Sequence, residues 1–165
     1  MIGNVYLEDR HDQRKGIFNN LSCCLFSVYG IIKVMKKLNI VKLQKLLWQE
    51  CRRVADVLYV KPQAPTTCFT CGKPISGSNK QLGHFLPKSV CGSFLKYDMR
   101  NLRWQCYYCN INLGGNGAVF YKNLVNEKGQ EYVDILFLDK QKSIKAYDHY
   151  IWQLEEYKKL CTVDI

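Results

Sequence analysis

The sequence predicts an α+β chain in which a small strand–strand–helix unit, stapled by a metal, sits between amphipathic helices. Three observations predict it. Cys68-Phe-Thr-Cys71-Gly72 and Cys106-Tyr-Tyr-Cys109-Asn110 are two Cys-x-x-Cys pairs, the spacing at which four thiolates close on one zinc ion. Short alternating stretches at 81–86 and 102–106 lie between those pairs or run into the second one, and read as strands. Apolar residues recur every three to four positions through 42–60 and again through 144–161, the mark of helices with one buried face.

Taken in order, 1–16 is polar, charged and unpatterned, and is expected to be disordered. Residues 17–35 are apolar but broken by Asn19, Asn20, Ser22, Ser27 and Lys33. With Arg10, Arg14 and Lys15 ahead of it, the stretch faintly imitates a signal peptide or a short membrane span. No small-residue cleavage site follows, so a soluble helix or an unstructured extension is expected over 1–41, with no membrane association; Met35 offers a second candidate start. Over 42–62 the expected helix buries Leu43, Leu46, Leu47, Cys51, Val54, Val57 and Leu58, and turns Lys42, Lys45, Gln49, Arg52, Arg53 and Asp56 outward. Pro62 and Pro65 end it.

The central unit spans 66–126. Residues 67–72 form the first knuckle, with Gly72 supplying the left-handed backbone such a turn requires. A Gly/Ser/Asn loop leads to the first strand, a basic loop at 87–97 separates it from the second, and the two pair as a hairpin. Residues 107–112 form the second knuckle and open a helix, which breaks at 114–117 and resumes over 118–125. The remaining 127–165 is expected to be helical. Residues 131–138 suit a helix or a strand, with helix preferred, and 144–161 carries Tyr147, Tyr150, Ile151, Leu154, Tyr157 and Cys161 on one stripe.

The chain has 165 residues and a formal net charge of +10, which points to a polyanionic partner. The charge is concentrated: within 61–126 the basic residues are Lys61, Lys73, Lys80, Lys88, Lys96, Arg100, Arg103 and Lys122, against Asp98 alone. Nine cysteines could suggest disulfides, but four fall into metal-ligand spacing, which favours a reducing, cytoplasmic setting. Cys51 and Cys161 read as small core residues, Cys23, Cys24 and Cys91 carry no assigned role, and the strand–helix context of a redox Cys-x-x-Cys is missing.

Gly83-His84-Phe85, Asn101-Leu102, Gln105-Cys106-x-x-Cys109-Asn110, Gly115-Asn116 and Tyr121-x-x-Leu124, together with the paired cysteines, resemble the phage NinG (Rap) recombination nucleases, within the HNH or ββα-metal class. The zinc-staple pattern is similar to that of phage endonuclease VII. The resemblance covers about a third of the chain. It implies an HNH-like ββα-metal core, hydrolysis of phosphodiester bonds in branched, Holliday-junction-like DNA, a structural zinc on Cys68, Cys71, Cys106 and Cys109, and a catalytic Mg²⁺ or other divalent ion. His84 would be the general base, a role neutral imidazole suits near pH 7; the plain alternative is a buried or surface histidine. Asn110 would bind the ion through its amide oxygen, or cap a helix. Asn101 would tie down the hairpin loop. Asn116 would contact metal or phosphate, or cap the next helix. Many such nucleases carry an aspartate where this chain has Gly83, so the ion is short of carboxylates; Asp98 would complete the site or be a turn residue.

Lys88, Lys96, Arg100, Arg103 and Lys122 are expected to meet the DNA backbone. The aromatics Phe85, Tyr97, Trp104, Tyr107, Tyr108 and Tyr121 would stack on bases or pack the core. A homodimer through 144–161 would suit paired cuts at a junction. The rival expectation is a non-catalytic zinc-ribbon module that binds nucleic acid in a recombination or transcription complex.

Overall fold

A computed structural model describes residues 39–142 and 144–162. The readings of the N-terminal extension, including those of Cys23, Cys24 and the apolar run at 17–35, fall on residues outside those described. Among the described residues no helix is long and apolar enough to cross a membrane.

The architecture is a helix-dominated α+β arrangement around one two-stranded sheet. The first helix, α1 (Ile40–Tyr59), starts where Asn39 accepts a hydrogen bond from the Lys42 N–H at 2.9 Å, an N-cap that satisfies one of the free donors of the first turn. It buries Leu43, Leu47, Cys51, Val54 and Ala55. Leu46, Val57 and Leu58 are exposed, against expectation. The buried arc is rotated toward Ala55, which leaves Leu46 and Val57 on its far edge, and Leu58 lies in the helix's last turn.

Strand β1 (Lys80–His84) follows the first knuckle. Its pairing stops two residues short of the expected end. The basic loop after it contains an unanticipated short helix, α2 (Gly92–Leu95). Strand β2 (Leu102–Cys106) runs antiparallel to β1, in register from Lys80↔Cys106 through Leu82↔Trp104 and Gly83↔Arg103 to His84↔Leu102. Side chains alternate between the two faces of a strand. One face therefore carries Leu82, His84, Leu102 and Trp104, and the other Gln81, Gly83, Arg103 and Gln105.

After β2 the chain makes a single π-helical turn, Tyr108–Asn112, and then α3 (Gly117–Lys128). Gly129, at φ +89°, turns it into α4 (Gln130–Asp139); the choice of helix over strand here agrees with the fold. The last helix, α5 (Ala146–Thr162), lies along α1 and buries Tyr150, Gln153 and Leu154.

Two apolar regions hold these pieces. One joins α1 to the Leu102/Trp104 face of the hairpin and to α5. The other gathers Phe85, Leu86, Cys91, Leu95, Phe120, Leu124, Val133 and Leu136 beneath the basic loop. Cys91 thus has a place as a fully buried core residue. The first region backs one face of the hairpin, and the second gathers the segment after β1 against α3 and α4.

Candidate functional site

The four cysteines of the two knuckles come together. Their sulfur atoms all lie within 4.8 Å of one another, and Cys71 and Cys106 approach to 3.8 Å. Tetrahedral zinc with sulfurs at about 2.3 Å sets neighbouring sulfurs about 3.8 Å apart. The donor set and spacing therefore fit a zinc ion. Backbone geometry prepares each half. The Cys68 N–H donates to Lys73 O at 2.8 Å and the Gly72 N–H to Cys68 O at 2.9 Å, with Gly72 at φ +72°. The Cys109 N–H donates to Cys106 Sγ at 3.3 Å. Burial would push the Cys68 thiol up, yet hydrogen bonds from Thr70 and from backbone N–H groups outweigh it and hold it at about 6. Burial pushes Cys109 up to about 12, so a metal would have to draw off its proton. The first knuckle is fastened to the hairpin by the Phe69 N–H to Trp104 O bond, 2.8 Å, and to α3 by Asn123 Nδ2 donating to Phe69 O at 2.7 Å.

The second knuckle places Asn110 within the π turn. It caps no helix; its amide reaches the hairpin instead. A Cβ on Gly83 would lie 1.9 Å from Gln105 Oε1 and 2.9 Å from Asn110 Oδ1. The space a side chain at 83 would fill is thus taken by two amide oxygens. Gln105 is completely buried and its Oε1 has no hydrogen-bond partner. No carboxylate takes part, and Gln105 Oε1, being wholly buried, packs directly on Gly83.

His84 sits one residue further along, on the other face. Its ring lies parallel to the Trp48 indole at an interplanar angle of 6° and a centroid distance of 5.5 Å. Nε2 is 2.9 Å from Lys96 O. A carbonyl only accepts, so Nε2 carries the proton and Nδ1 is the basic nitrogen. Burial, with the charges of Lys88 and Lys96 behind it, lowers the pKa to about 4. The imidazole is therefore neutral at pH 7. A general base at His84 and an ion ligand at Asn110, the roles the resemblance implies, would have to face one phosphate, and they do not. They approach the β1 end from opposite faces of the hairpin, because adjacent strand residues alternate.

Asn101 is completely buried. Its Oδ1 accepts from the Leu86 N–H at 2.7 Å, and Nδ2 donates to Leu86 O at 3.1 Å and Leu95 O at 3.3 Å. This amide replaces the strand ladder beyond His84 and pins the loop carrying the Lys96 carbonyl. Asp98 is occupied elsewhere: its carboxylate accepts from the Arg100 N–H at 2.8 Å and pairs with Arg100 Nη2 at 2.7 Å. It is the turn residue of the plainer reading, a correction to its assignment as an ion ligand. Asn116 takes the left-handed conformation, φ 50°, ahead of α3 and makes no capping bond through its side chain.

The basic residues divide. Arg103 was expected on the DNA surface but is 3% exposed. Its Nε donates to Glu127 at 3.1 Å and its Nη1 to Tyr59 Oη at 2.9 Å and to Leu102 O at 2.8 Å. It is a structural clamp, and the charge count along the chain could not distinguish it from a free cation. Arg100 likewise spends its guanidinium on Asp98 and on Asp139, at 2.8 Å. Lys88 and Lys122 are exposed and Lys96 half-buried, with Lys88 and Lys96 both close enough to act on His84. Trp48 and Gln105 were not assigned to the site from sequence. The pairing of Gln105 with the Gly83 side of the sheet is invisible until the register is known.

The family described as Bacteriophage Lambda NinG protein matches residues 32–163. Two curated relatives named Protein ninG, from Escherichia phage 933W and Enterobacteria phage VT2-Sa, are each 33% identical over 67 residues, which is 41% of this chain and 32% of theirs. The match thus spans about a third of the relatives' length. No solved structure matches the chain.

Proposed function

The chain belongs to the NinG family, and on that footing we propose that it is a metal-dependent DNA endonuclease with an HNH-like ββα core that cuts branched, Holliday-junction-like DNA during phage recombination. The observation that carries the reading is the state of His84. It is neutral, its tautomer is set by the Lys96 carbonyl, and Lys88 and Lys96 stand close enough to act on it. That is what activation of a water beside a phosphate requires. His84 Nδ1 takes the water's proton. Lys88 and Lys96 receive the phosphate, whose negative charge offsets their lowering of the imidazole pKa. Asn101 holds the loop that orients His84. Asn110 Oδ1 would hold a divalent ion, and such an ion stabilises the charge that builds on the phosphate. The zinc staple fixes Asn110 against the hairpin.

The test uses zinc-loaded protein and a labelled synthetic four-way junction, with Mg²⁺ or with EDTA, beside His84→Ala. Nicking that needs Mg²⁺ and is lost in the variant is the expected result. Binding without cutting in any divalent metal overturns the enzyme.

One observation favours a second reading. His84 and Asn110 stand on opposite faces of the hairpin, and the Asp98 carboxylate is held by Arg100. Both suit a zinc-stapled module that binds nucleic acid without cleaving it. On that reading His84→Ala binds the junction as tightly as the parent chain does.

A further inference from the structure

The fold sorts the aromatic residues that interleave with the basic ones. Phe85, Tyr97 and Trp104 are buried, and Tyr121 spends its hydroxyl on Gln130 Oε1 at 2.8 Å. Tyr107 and Tyr108 stand out from the second knuckle, 52% and 59% exposed. Ile111, in the same π turn, and Leu113, just after it, are exposed as well. The Leu113 N–H donates to Tyr108 O at 3.0 Å. Leu113 therefore stands about one turn beyond Tyr108, as Ile111 does beyond Tyr107. Four large apolar side chains are thus left in water by one short turn that the cysteine cluster and the hairpin hold in place. Apolar residues scattered singly over a surface need no explanation, whereas a contiguous group of them marks a binding site. The rim of the group is polar without being acidic. The Tyr107 N–H donates to Asn79 Oδ1 at 2.9 Å, which brings the exposed turn Gly77–Asn79 alongside. Asn112 is exposed in the π turn itself, and Lys73 is exposed two residues past Cys71 of the thiolate cluster. Asp98, the one carboxylate within 61–126, is held by Arg100.

We propose that Tyr107 and Tyr108, flanked by Ile111 and Leu113, form a stacking platform for the unpaired bases of single-stranded DNA. The inference rests on the reading of the protein as one that acts on branched DNA, and names what it grips there. A tyrosine ring stacks on any base, because every base has a π face. In a duplex those faces are covered by neighbouring pairs; at a junction, flap or gap one is free. The platform therefore selects interrupted pairing without reading sequence. Its rim of amides, a serine hydroxyl and one lysine holds nothing that repels a passing phosphate. Its place in the fold suits the same strand. Asn110, two residues beyond Tyr108, reaches within 2.9 Å of where a Cβ on Gly83 would lie, and Gly83 adjoins His84. A strand laid along the knuckle thus arrives at the hairpin end that carries His84. A second copy of the chain is a poor occupant, since a stable protein interface takes about 20–30 residues from each side and this face offers a handful.

Zinc-loaded full chain is titrated with a labelled single-stranded oligodeoxynucleotide of mixed sequence and, separately, with the same sequence as a blunt duplex. Tyr107→Ala/Tyr108→Ala should keep its zinc and its melting temperature, and bind the single strand roughly ten-fold more weakly or worse, with duplex binding unchanged. Stacking displaces no counterions, so the slope of affinity against salt should stay that of the parent. Tyr107→Phe/Tyr108→Phe keeps both rings and should bind as the parent does. By NMR, the ring protons of Tyr107 and Tyr108 should shift upfield as single strand is added. No binding of the single strand by the parent, unchanged affinity in the alanine pair, equal weakening of single strand and duplex, or ring signals that stay still overturns the platform. A parent that sediments as a dimer, and an alanine pair that does not, also overturns it. Junction DNA cut with Mg²⁺ by a chain whose alanine pair holds single strand unimpaired removes the platform and leaves the endonuclease standing. Single-strand binding lost in the alanine pair, with no cutting by the parent in any divalent metal, supports the platform and sinks the endonuclease.

Discussion

Trp48→Ala should raise the pKa of His84. The two rings are stacked 6° from parallel, and burial is the first cause of the imidazole's fall from 6.5 to about 4, ahead of Lys88 and Lys96. Removing the indole lets water reach one whole ring face. It also removes the surface over which Lys88 Nζ sits, 4.5 Å from the ring centre, so that cation is free to move away. A rise of one unit or more is expected, equivalent to about 1.4 kcal/mol per unit. Truncating a fully buried Trp costs about 3–5 kcal/mol. Trp48 is half-buried, so about 2 kcal/mol is the expected loss of stability, and the chain should remain folded. The assay is a pH titration of the ring nitrogens of zinc-loaded protein by NMR. The sign of the linked effect follows. Folded His84 gives up its proton more readily than the unfolded chain does, so the unfolded chain binds more protons between about pH 4 and 6.5. Stability from this source is complete above pH 6.5 and is lost as pH falls toward 4. Trp48→Ala should narrow that window, while His149, also held low by burial, supplies an internal reference. A parent His84 that titrates near 6.5, or one whose titration is the same in both proteins, refutes the argument.

Three further outcomes are expected. Stripping zinc with a chelator, or Cys106→Ser, should abolish cooperative melting of the 66–126 unit, since structural zinc contributes about 10–16 kcal/mol against a total stability of about 5–15; metal analysis should give one zinc per chain, and melting unaffected by chelation would refute the staple. Arg103→Ala should cost about 1–3 kcal/mol in denaturant unfolding by leaving the buried Leu102 carbonyl without its donor, with no change in the salt dependence of DNA binding, whereas Lys88→Ala and Lys96→Ala should each lower that salt slope by about one while leaving unfolding nearly unchanged. Gly83→Ala should lose about 1–3 kcal/mol from the forced displacement of the Gln105 amide, measured by the same unfolding curves.

What could be read along the chain was local. The cysteine pairs were legible because two thiolates three residues apart reach one metal whatever surrounds them. The hairpin was legible because its strands alternate, and Asn101 only through the family resemblance, which implied the loop tie that its amide makes. α1 was legible as a helix, but its buried arc was not, because Leu46 and Ala55 exchange places according to what α5 and β2 offer. The site was less legible than the fold. Trp48 meets His84 across a long sequence separation, and the side of the sheet that His84 takes depends on a register no short motif encodes. Arg103 and Lys88 look alike in a charge count; only the Glu127 carboxylate and the Tyr59 hydroxyl separate them.

The Thr70 hydroxyl accepts from Gln105 and lies 3.2 Å from Cys68 Sγ. Its proton, unused by the amide, is directed to the sulfur. A zinc-bound thiolate, being anionic, holds that proton firmly and so keeps the hydroxyl, and behind it the glutamine, from rotating. Loss of zinc would let all three turn together. The charge on the sulfurs is in this way coupled, through one hydroxyl, to the setting of a glutamine buried beneath the hairpin.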